Sequence, residues 1–149
     1  RLVRAACIDG EHVTAVRRSQ IDVERDAARG DGQVRYLAVA DTLHERGVRH
    51  VWIPLGERAS QLSSASAGTT LISASSTTIQ DVTGAGDAML AAFCHALLRG
   101  SDPLDAARYG QAAAALTIAS PHTVRPDLTP RLIDAVLGRR GLHPRWHIA

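Results

Sequence analysis

Residues 85–99 restrict the fold more than any other stretch, because they are apolar on nearly every side of a predicted helix. Such a helix needs other elements to bury it. Gly100 follows at once and predicts the end of the helix, since glycine readily takes the left-handed conformation that closes one. The chain must therefore build a core around this helix, and its 149 residues are enough for a domain with a sizeable core.

The sequence before this helix predicts another helix, a strand and a hairpin. Val34 begins an apolar stripe of helical period that ends at Gly47, and residues 48–55 predict a strand. Residues 57–81 are rich in Ser, Thr and Ala with interspersed β-branched residues, which favours antiparallel strands, with a flexible linker as the alternative. The alternation of helix and strand signals indicates an α/β fold.

Capping signals place two more helices after residue 100. Asp102 and Pro103 are typical of an N-cap and a first helical position, and Pro130 begins a helix that ends near Gly138. The helix after Pro103 is rich in alanine, whose small side chain permits close packing. These signals predict three helices in succession over the last third of the chain.

The domain organisation follows from where these signals start and stop. Residues 1–33 predict an irregular segment, because residues 17–32 are highly charged and only residues 13–16 suggest a short strand. Residues 34–138 predict the folded α/β domain. Residues 139–149 predict a tail.

The absence of lysine excludes several classes of enzyme. All 17 basic side chains are arginine, and the formal net charge is only +2. Schiff-base enzymes, Walker A nucleotide-binding loops and protein kinases all need a lysine. Dispersed arginines and an aromatic content of 3% argue against a nucleic-acid partner, and no apolar run approaches the ~20 residues that span a bilayer. We expect a soluble, cytoplasmic protein without nucleic-acid or membrane partners.

A glycine-rich turn leads into the apolar helix and carries the chemistry. Gly84 and Gly86 let the backbone turn sharply and approach a ligand with no Cβ in the way. The first amides of a helix lack intrahelical partners and lie at the positive end of its dipole, so they suit a phosphoryl group. Asp87 stands beside them, placed to accept the proton of an attacking hydroxyl. The alternative is a purely structural helix start, with glycine for tightness and Asp87 for capping.

The complete string of residues 81–89 resembles the D-x-T-G-A-G-D signature of the PfkB-family sugar and nucleoside kinases. The resemblance implies an α/β fold that is part of a ribokinase-like three-layer α/β/α sandwich, namely its C-terminal half. It implies that Asp87 is the catalytic base. It also implies that the anion hole for the ATP phosphate is formed by three successive residues, Gly84, Ala85 and Gly86.

The same resemblance implies ligands and further binding residues. ATP and Mg²⁺ are expected, and Asp81 and Thr83 match positions that in some members help hold a monovalent cation such as K⁺. Gln111 matches a position where Asn or Gln often faces the adenine, with a solvated Gln on a packing helix as the alternative. Residues 120–129 resemble the S-x-x-T-V-N-P-x-L-S stretch of pseudouridine kinases, with Arg125 at the usual Asn.

Two upstream features depart from the family pattern. Residues 51–59 resemble the strand and turn V-T-L-G-x-x-G that approaches the nucleotide: Gly56 matches, but Pro54 replaces a hydroxyl residue and Ala59 replaces a glycine. The N-x-x-E motif associated with magnesium has no clear match, and only an acidic cluster over residues 20–26 lies in the expected region.

The sequence thus predicts an ATP-dependent phosphotransferase that acts on a hydroxyl of a sugar or nucleoside and is similar to pseudouridine kinases. The alternative is a truncated, non-catalytic nucleotide-binding remnant or a partner-dependent subunit, since nothing in the chain resembles the N-terminal half of the family's fold. That half carries the sugar-binding residues. A missing N-terminal half supplied from elsewhere and a homo-oligomer are both compatible with the sequence.

Overall fold

The computed structural model describes residues 5–9, 12–16, 32–55, 59–74 and 77–138. These residues form five strands and four helices. In chain order the elements are β1 Ala5–Asp9, β2 His12–Val16, α1 Gly32–Glu45, β3 His50–Pro54, β4 Ala59–Ser64, β5 Gly68–Ser73, α2 Ala85–Leu98, α3 Pro103–Ile118 and α4 Pro130–Gly138. The chain divides into two compact units, Arg1–Ser73 and Ala74–Ala149.

The first unit contains a five-stranded sheet with the order β2-β1-β3-β4-β5, and every neighbouring pair is antiparallel. In β3 and β4 Trp52 lies opposite Leu62, and a short loop then joins β4 to β5. Gly68 ends that loop with φ +73°, a left-handed conformation typical of hairpin loops of this length. The prediction of antiparallel strands is confirmed over residues 59–73.

The prediction of an irregular segment over residues 1–33 is wrong in part. β1 and β2 pair with each other, and β1 also pairs with β3, where Ala6 lies opposite Trp52. The short strand predicted at residues 13–16 is confirmed as β2, whereas β1 has only five residues and too short an alternation to be recognised alone. Their pairing along the sheet, which a local pattern does not contain, defines them. Helix α1 begins at Gly32, slightly before the predicted boundary.

The core of the first unit lies between α1 and the sheet. Ala40, Val51 and Ile53 are buried together there. Gly47 ends α1 as predicted: its φ is +91°, its N–H donates to His44 O, and the N–H of Val48 donates to the carbonyl of Leu43. This is a Schellman motif, which satisfies carbonyls at the helix end.

In the second unit α2 packs along α3, with Ala92, Phe93 and Ala96 buried. The expectation that α2 is buried is confirmed only in part, because Leu98 is 89% exposed and other positions along the helix are exposed or half-buried. One neighbouring helix covers only one side of a helix. Gly100, with φ +84°, closes α2 as predicted.

Helix α3 has the predicted N-cap. The Asp102 Oδ1 accepts the N–H of Leu104 at 2.9 Å and the N–H of Asp105 at 3.0 Å. Small residues dominate the buried surface of α3, as its alanine-rich sequence predicts, and α4 packs against it with Ile133 and Leu137 buried. Across the described residues, no helix combines the length and the apolar character that crossing a membrane requires.

Candidate active site

The glycine-rich turn ends in a left-handed residue. Gly84 is the N-cap of α2 with φ +79° and ψ −12°, a conformation that costs an ordinary L-residue roughly 1–2 kcal/mol. The backbone of Thr123 lies directly against it: a Cβ on Gly84 would stand 2.0 Å from the Thr123 carbonyl oxygen. Both the dihedral angle and the neighbouring backbone therefore require glycine at this position.

The amides that open α2 have few acceptors. Gly84 provides no side-chain cap, and the N–H of Ala85 reaches Val82 O only at 3.4 Å. Among the described residues, the N–H groups of Gly84 and Gly86 form no hydrogen bond to a backbone acceptor. Gly86 is exposed, and a Cβ built on it would have nothing within 4 Å. The helix start thus presents N–H donors at its positive end, with open space beside Gly86, which suits an anion.

Hydrogen bonds fix the approach to this turn. Asp81 Oδ1 accepts the N–H of Thr83 at 2.9 Å. The pKa of the exposed Asp81 carboxyl is lowered, mainly by the hydrogen bond from the Thr83 backbone N–H and further by one from the Thr83 side chain. The N–H groups of Gln80 and Asp81 donate to the Ile118 carbonyl at the end of α3, at 2.9 and 3.3 Å. The end of α3 therefore anchors the segment that leads into the glycine turn.

Asp87 lies one residue beyond Gly86, in the first turn of α2. It is exposed, and its N–H donates to Gly84 O at 3.1 Å. The backbone thus places the carboxylate beside the helix start that carries the candidate donors. A carboxylate and a group of amide donors on one helix turn are the parts that proton acceptance and phosphate stabilisation need.

The other predicted site residues have mixed outcomes. Gln111 lies on α3 and is only 9% exposed, so the alternative of a solvated side chain is wrong, while its role toward a nucleotide stays a prediction. Gly56 and the acidic cluster over residues 20–26 lie outside the described residues. Two residues depart from the family pattern: Pro54 is the last residue of β3 and Ala59 is the first residue of β4. Pro54 lies opposite Ser60, the residue after Ala59.

Residues 27–130 match the sequence profile of the pfkB family carbohydrate kinases, which covers more than half of the chain. The chain belongs to the pfkB family. No sequence among curated proteins matches it.

Solved structures resemble this pfkB-family chain over about two thirds of its length. A ribokinase from Thermotoga maritima is 27% identical with a TM-score of 0.63, and the match covers 68% of this chain and 34% of the ribokinase. A nucleoside kinase from Burkholderia thailandensis, solved with inosine, is 27% identical with a TM-score of 0.60. The match covers 67% of this chain and 33% of the nucleoside kinase. An E. coli protein assigned as ribokinase II, in its apo form, is 25% identical with a TM-score of 0.64. The match covers 70% of this chain and 34% of the E. coli protein.

These likenesses confirm the predicted fold class, since the chain has part of a ribokinase-like α/β fold. The chain spans about a third of the length of each of these three proteins. The matched region includes the D-x-T-G-A-G-D turn, so the family match and the turn geometry concern the same residues.

Within the described residues, no group of three or more His, Cys, Asp or Glu side chains is arranged to hold a metal ion. Mg²⁺ in nucleotide sites is usually bound through one or two carboxylates, water and the phosphates themselves. The exposed Asp87 carboxylate in the first turn of α2 is a group of the kind that such a site uses.

The loop after α3 also contributes to the turn, which sequence reasoning missed. Arg125 Nη1 donates to the Leu116 carbonyl at 2.9 Å, and its Nε and Nη2 donate to the two Asp127 oxygens at 2.7 and 3.1 Å. The same loop carries Thr123, whose carbonyl lies against Gly84. The arginine in place of the usual asparagine of the resembling motif was the one signal in the sequence.

Proposed function

We propose that this pfkB-family chain carries the phosphoryl-transfer end of a kinase that moves the γ-phosphoryl group of ATP to a hydroxyl of a sugar or nucleoside. The observation that supports it best is the start of α2. Gly84 and Gly86 have no backbone acceptor among the described residues, Gly86 faces open space, and Asp87 follows in the same turn. The nucleotide triphosphate and Mg²⁺ are the implied ligands.

Each group at the start of α2 has a separate role in the proposed transfer. The acceptor oxygen forms a bond to the γ-phosphorus while the bond from that phosphorus to the β,γ-bridging oxygen breaks, and ADP leaves. The N–H groups of Gly84, Ala85 and Gly86 stabilise the negative charge on the transferred group. Asp87 accepts the proton of the attacking hydroxyl. Mg²⁺, when bound to the phosphates, neutralises part of their charge.

Pseudouridine is the acceptor that the sequence favours within this class. Residues 120–129 resemble the corresponding stretch of pseudouridine kinases, and the Burkholderia thailandensis neighbour is a nucleoside kinase solved with inosine. We further propose that Gln111 and Gly56 contribute to nucleotide binding and that Asp81 and Thr83 help to hold K⁺ near the anion hole. A cytoplasmic location fits a kinase of small metabolites.

Replacement of Asp87 tests this proposal most directly. We expect Asp87→Asn to lower kcat by about 10²–10⁴-fold with ATP and pseudouridine, because the amide cannot accept the proton. Asp105→Asn is the matched control, since Asp105 also lies in the first turn of a helix, and it should leave kcat unchanged. Ribose and adenosine serve as comparison acceptors. An Asp87→Asn chain as fast as the parent would eliminate the mechanism.

A second candidate is a nucleotide-binding subunit or remnant that needs another polypeptide for catalysis, a homo-oligomer included. The share of the neighbours' length that the chain spans, about a third, favours keeping it. Isothermal titration with ATP and a phosphorylation assay separate the two. Turnover by the purified chain alone supports the kinase, whereas ATP binding without turnover supports the subunit.

A further inference from the structure

The end of α3 organises two segments that meet at Gly84. The last four carbonyls of an α-helix have no intrahelical partner. In α3 they are all satisfied by groups outside the regular helix: the Ala115 and Thr117 carbonyls accept the N–H groups of Ala119 and Ser120, Leu116 O accepts the Arg125 guanidinium, and Ile118 O accepts the N–H groups of Gln80 and Asp81.

Arg125 is the side-chain member of this set. Its guanidinium spans Leu116 O and both carboxylate oxygens of Asp127, so three of its nitrogens are engaged at once. The arginine side chain is 21% exposed and that of Asp127 is 66% exposed, which puts the arginine under the loop and the carboxylate on its outer side. A planar, bidentate pair of this kind fixes geometry more firmly than a single charge contact.

The loop that Arg125 holds is in close contact with the proposed anion hole at Gly84. Thr123, two residues before Arg125, places its carbonyl where a Cβ of Gly84 would stand. The loop is closed further by the Leu128 N–H, which donates to the Arg125 carbonyl at 3.3 Å. One side of the glycine turn is therefore held by Ile118 through residues 80 and 81, and the other side by Arg125 through Thr123.

We propose that Arg125 is a positioning residue of the anion hole: by tying residues 120–128 to α3 and to Asp127, it holds Thr123 against Gly84 and sets the direction of the Gly84–Gly86 N–H groups. The functional part of this inference rests on the proposed phosphoryl transfer. Its structural part concerns the free chain and stands separately.

Amide NMR of the full 149-residue chain without nucleotide tests the structural part. Arg125→Gln should shift the Gly84 and Gly86 amide signals, because glutamine can reach one acceptor but not all three. It should also speed the hydrogen exchange of the Leu128 N–H, which donates to the Arg125 carbonyl, by about tenfold or more. Arg108→Gln is the matched control. Arg108 also pairs with an aspartate in the second unit, Asp105 at 2.9 Å, but both residues lie on α3 and outside residues 120–128.

Unchanged Gly84 and Gly86 signals in Arg125→Gln, or equal changes in Arg108→Gln, overturn the proposal. If Arg125→Gln fails to fold, Asp127→Asn replaces it, since it weakens the same bidentate pair from the exposed side. For function, Arg125→Gln should lower kcat/KM by about 10–100-fold, as a small misplacement of catalytic groups does, with partial recovery in Arg125→Lys. A parent chain that shows no turnover would contradict the proposed function and leave the NMR result to decide the role of Arg125.

Discussion

The two glycines of the turn meet different physical conditions. Gly84 combines φ +79° with the Thr123 carbonyl at its Cβ position, whereas Gly86 has an ordinary helical backbone and empty space where a Cβ would be. The protein's own packing thus explains Gly84 but not Gly86. Under the proposed function, the requirement for glycine at position 86 comes from a ligand that approaches the backbone there.

A pair of alanine variants separates these two conditions. Gly84→Ala should lower the free energy of unfolding by about 2 kcal/mol or more, from the left-handed backbone and the overlap with Thr123. Gly86→Ala should raise it by up to about 1 kcal/mol, because alanine is the better helix former. Denaturant midpoints followed by the helical circular dichroism signal measure both.

For Gly86→Ala we expect ATP affinity and stability to change in opposite directions. This variant should be at least as stable as the parent and bind ATP more weakly by isothermal titration, since its new methyl group occupies the open space. Equal ATP affinity of Gly86→Ala and the parent would argue against phosphate contact at that amide.

At this scale the sequence predicted the turn but not what surrounds it. The G-A-G string implies a tight helix start, and the left-handed Gly84 agrees with that. The approach of Thr123 was beyond prediction, because it joins residues far apart in the chain through a loop of no regular pattern. Arg125 was noticed only as a departure from a motif, and its three hydrogen-bond acceptors lie on two different elements of the fold.

Among the elements, those with local end signals could be predicted best. The cap at Asp102 and the closing glycines at positions 47 and 100 depend on neighbours within a few residues. The start of α3 and the ends of α1 and α2 therefore lie where the sequence predicts them. β2 was predicted in part from residues 13–16, but β1 depends on pairing across the sheet, which no local pattern reports. The exposure of α2 was mispredicted for a related reason, since periodicity says that a face is apolar and not what covers it.

The cap of α3 gives a prediction at the scale of one element. Asp102→Ala should lower the free energy of unfolding by about 1 kcal/mol, because two N–H groups lose their acceptor. Asp102→Asn should lie close to the parent, as asparagine caps helices equally well. Thermal or denaturant unfolding of the three proteins checks this order, and an equal loss in both variants would show that the charge of Asp102, rather than its hydrogen bonds, stabilises α3.

For the whole molecule, three titratable groups that are partly or fully buried in the two compact units predict a stability profile with two limbs. Burial lowers the pKa of His50 below its ordinary 6.5. Burial also raises the pKa of the Cys94 thiol above 9.0 and, together with the nearby Asp134, raises the pKa of Tyr109 to about 12. His50 belongs to the unit Arg1–Ser73, and the other two residues belong to Ala74–Ala149.

The signs follow from proton uptake. Below about pH 6.5 the unfolded chain binds a proton at His50 that the folded chain resists, so stability falls as the pH drops. Above about pH 9 the unfolded chain loses the Cys94 proton, and from about pH 10 that of Tyr109, while the folded chain retains them, so stability falls as the pH rises. We therefore expect a plateau between these limits.

Variants assign each limb to its unit. His50→Gln, which can still hydrogen-bond Ser64, should flatten the part of the acidic limb just below about pH 6.5 and leave the alkaline limb unchanged. At lower pH the carboxyls of Asp81 and Asp127 in the other unit, whose pKa values are lowered, add their own loss of stability. Tyr109→Phe should flatten the alkaline limb above about pH 10 and leave the acidic limb unchanged. Differential scanning calorimetry across this pH range measures both. If either variant changes the limb assigned to the other unit, the two buried groups do not titrate independently and this assignment of the profile is wrong.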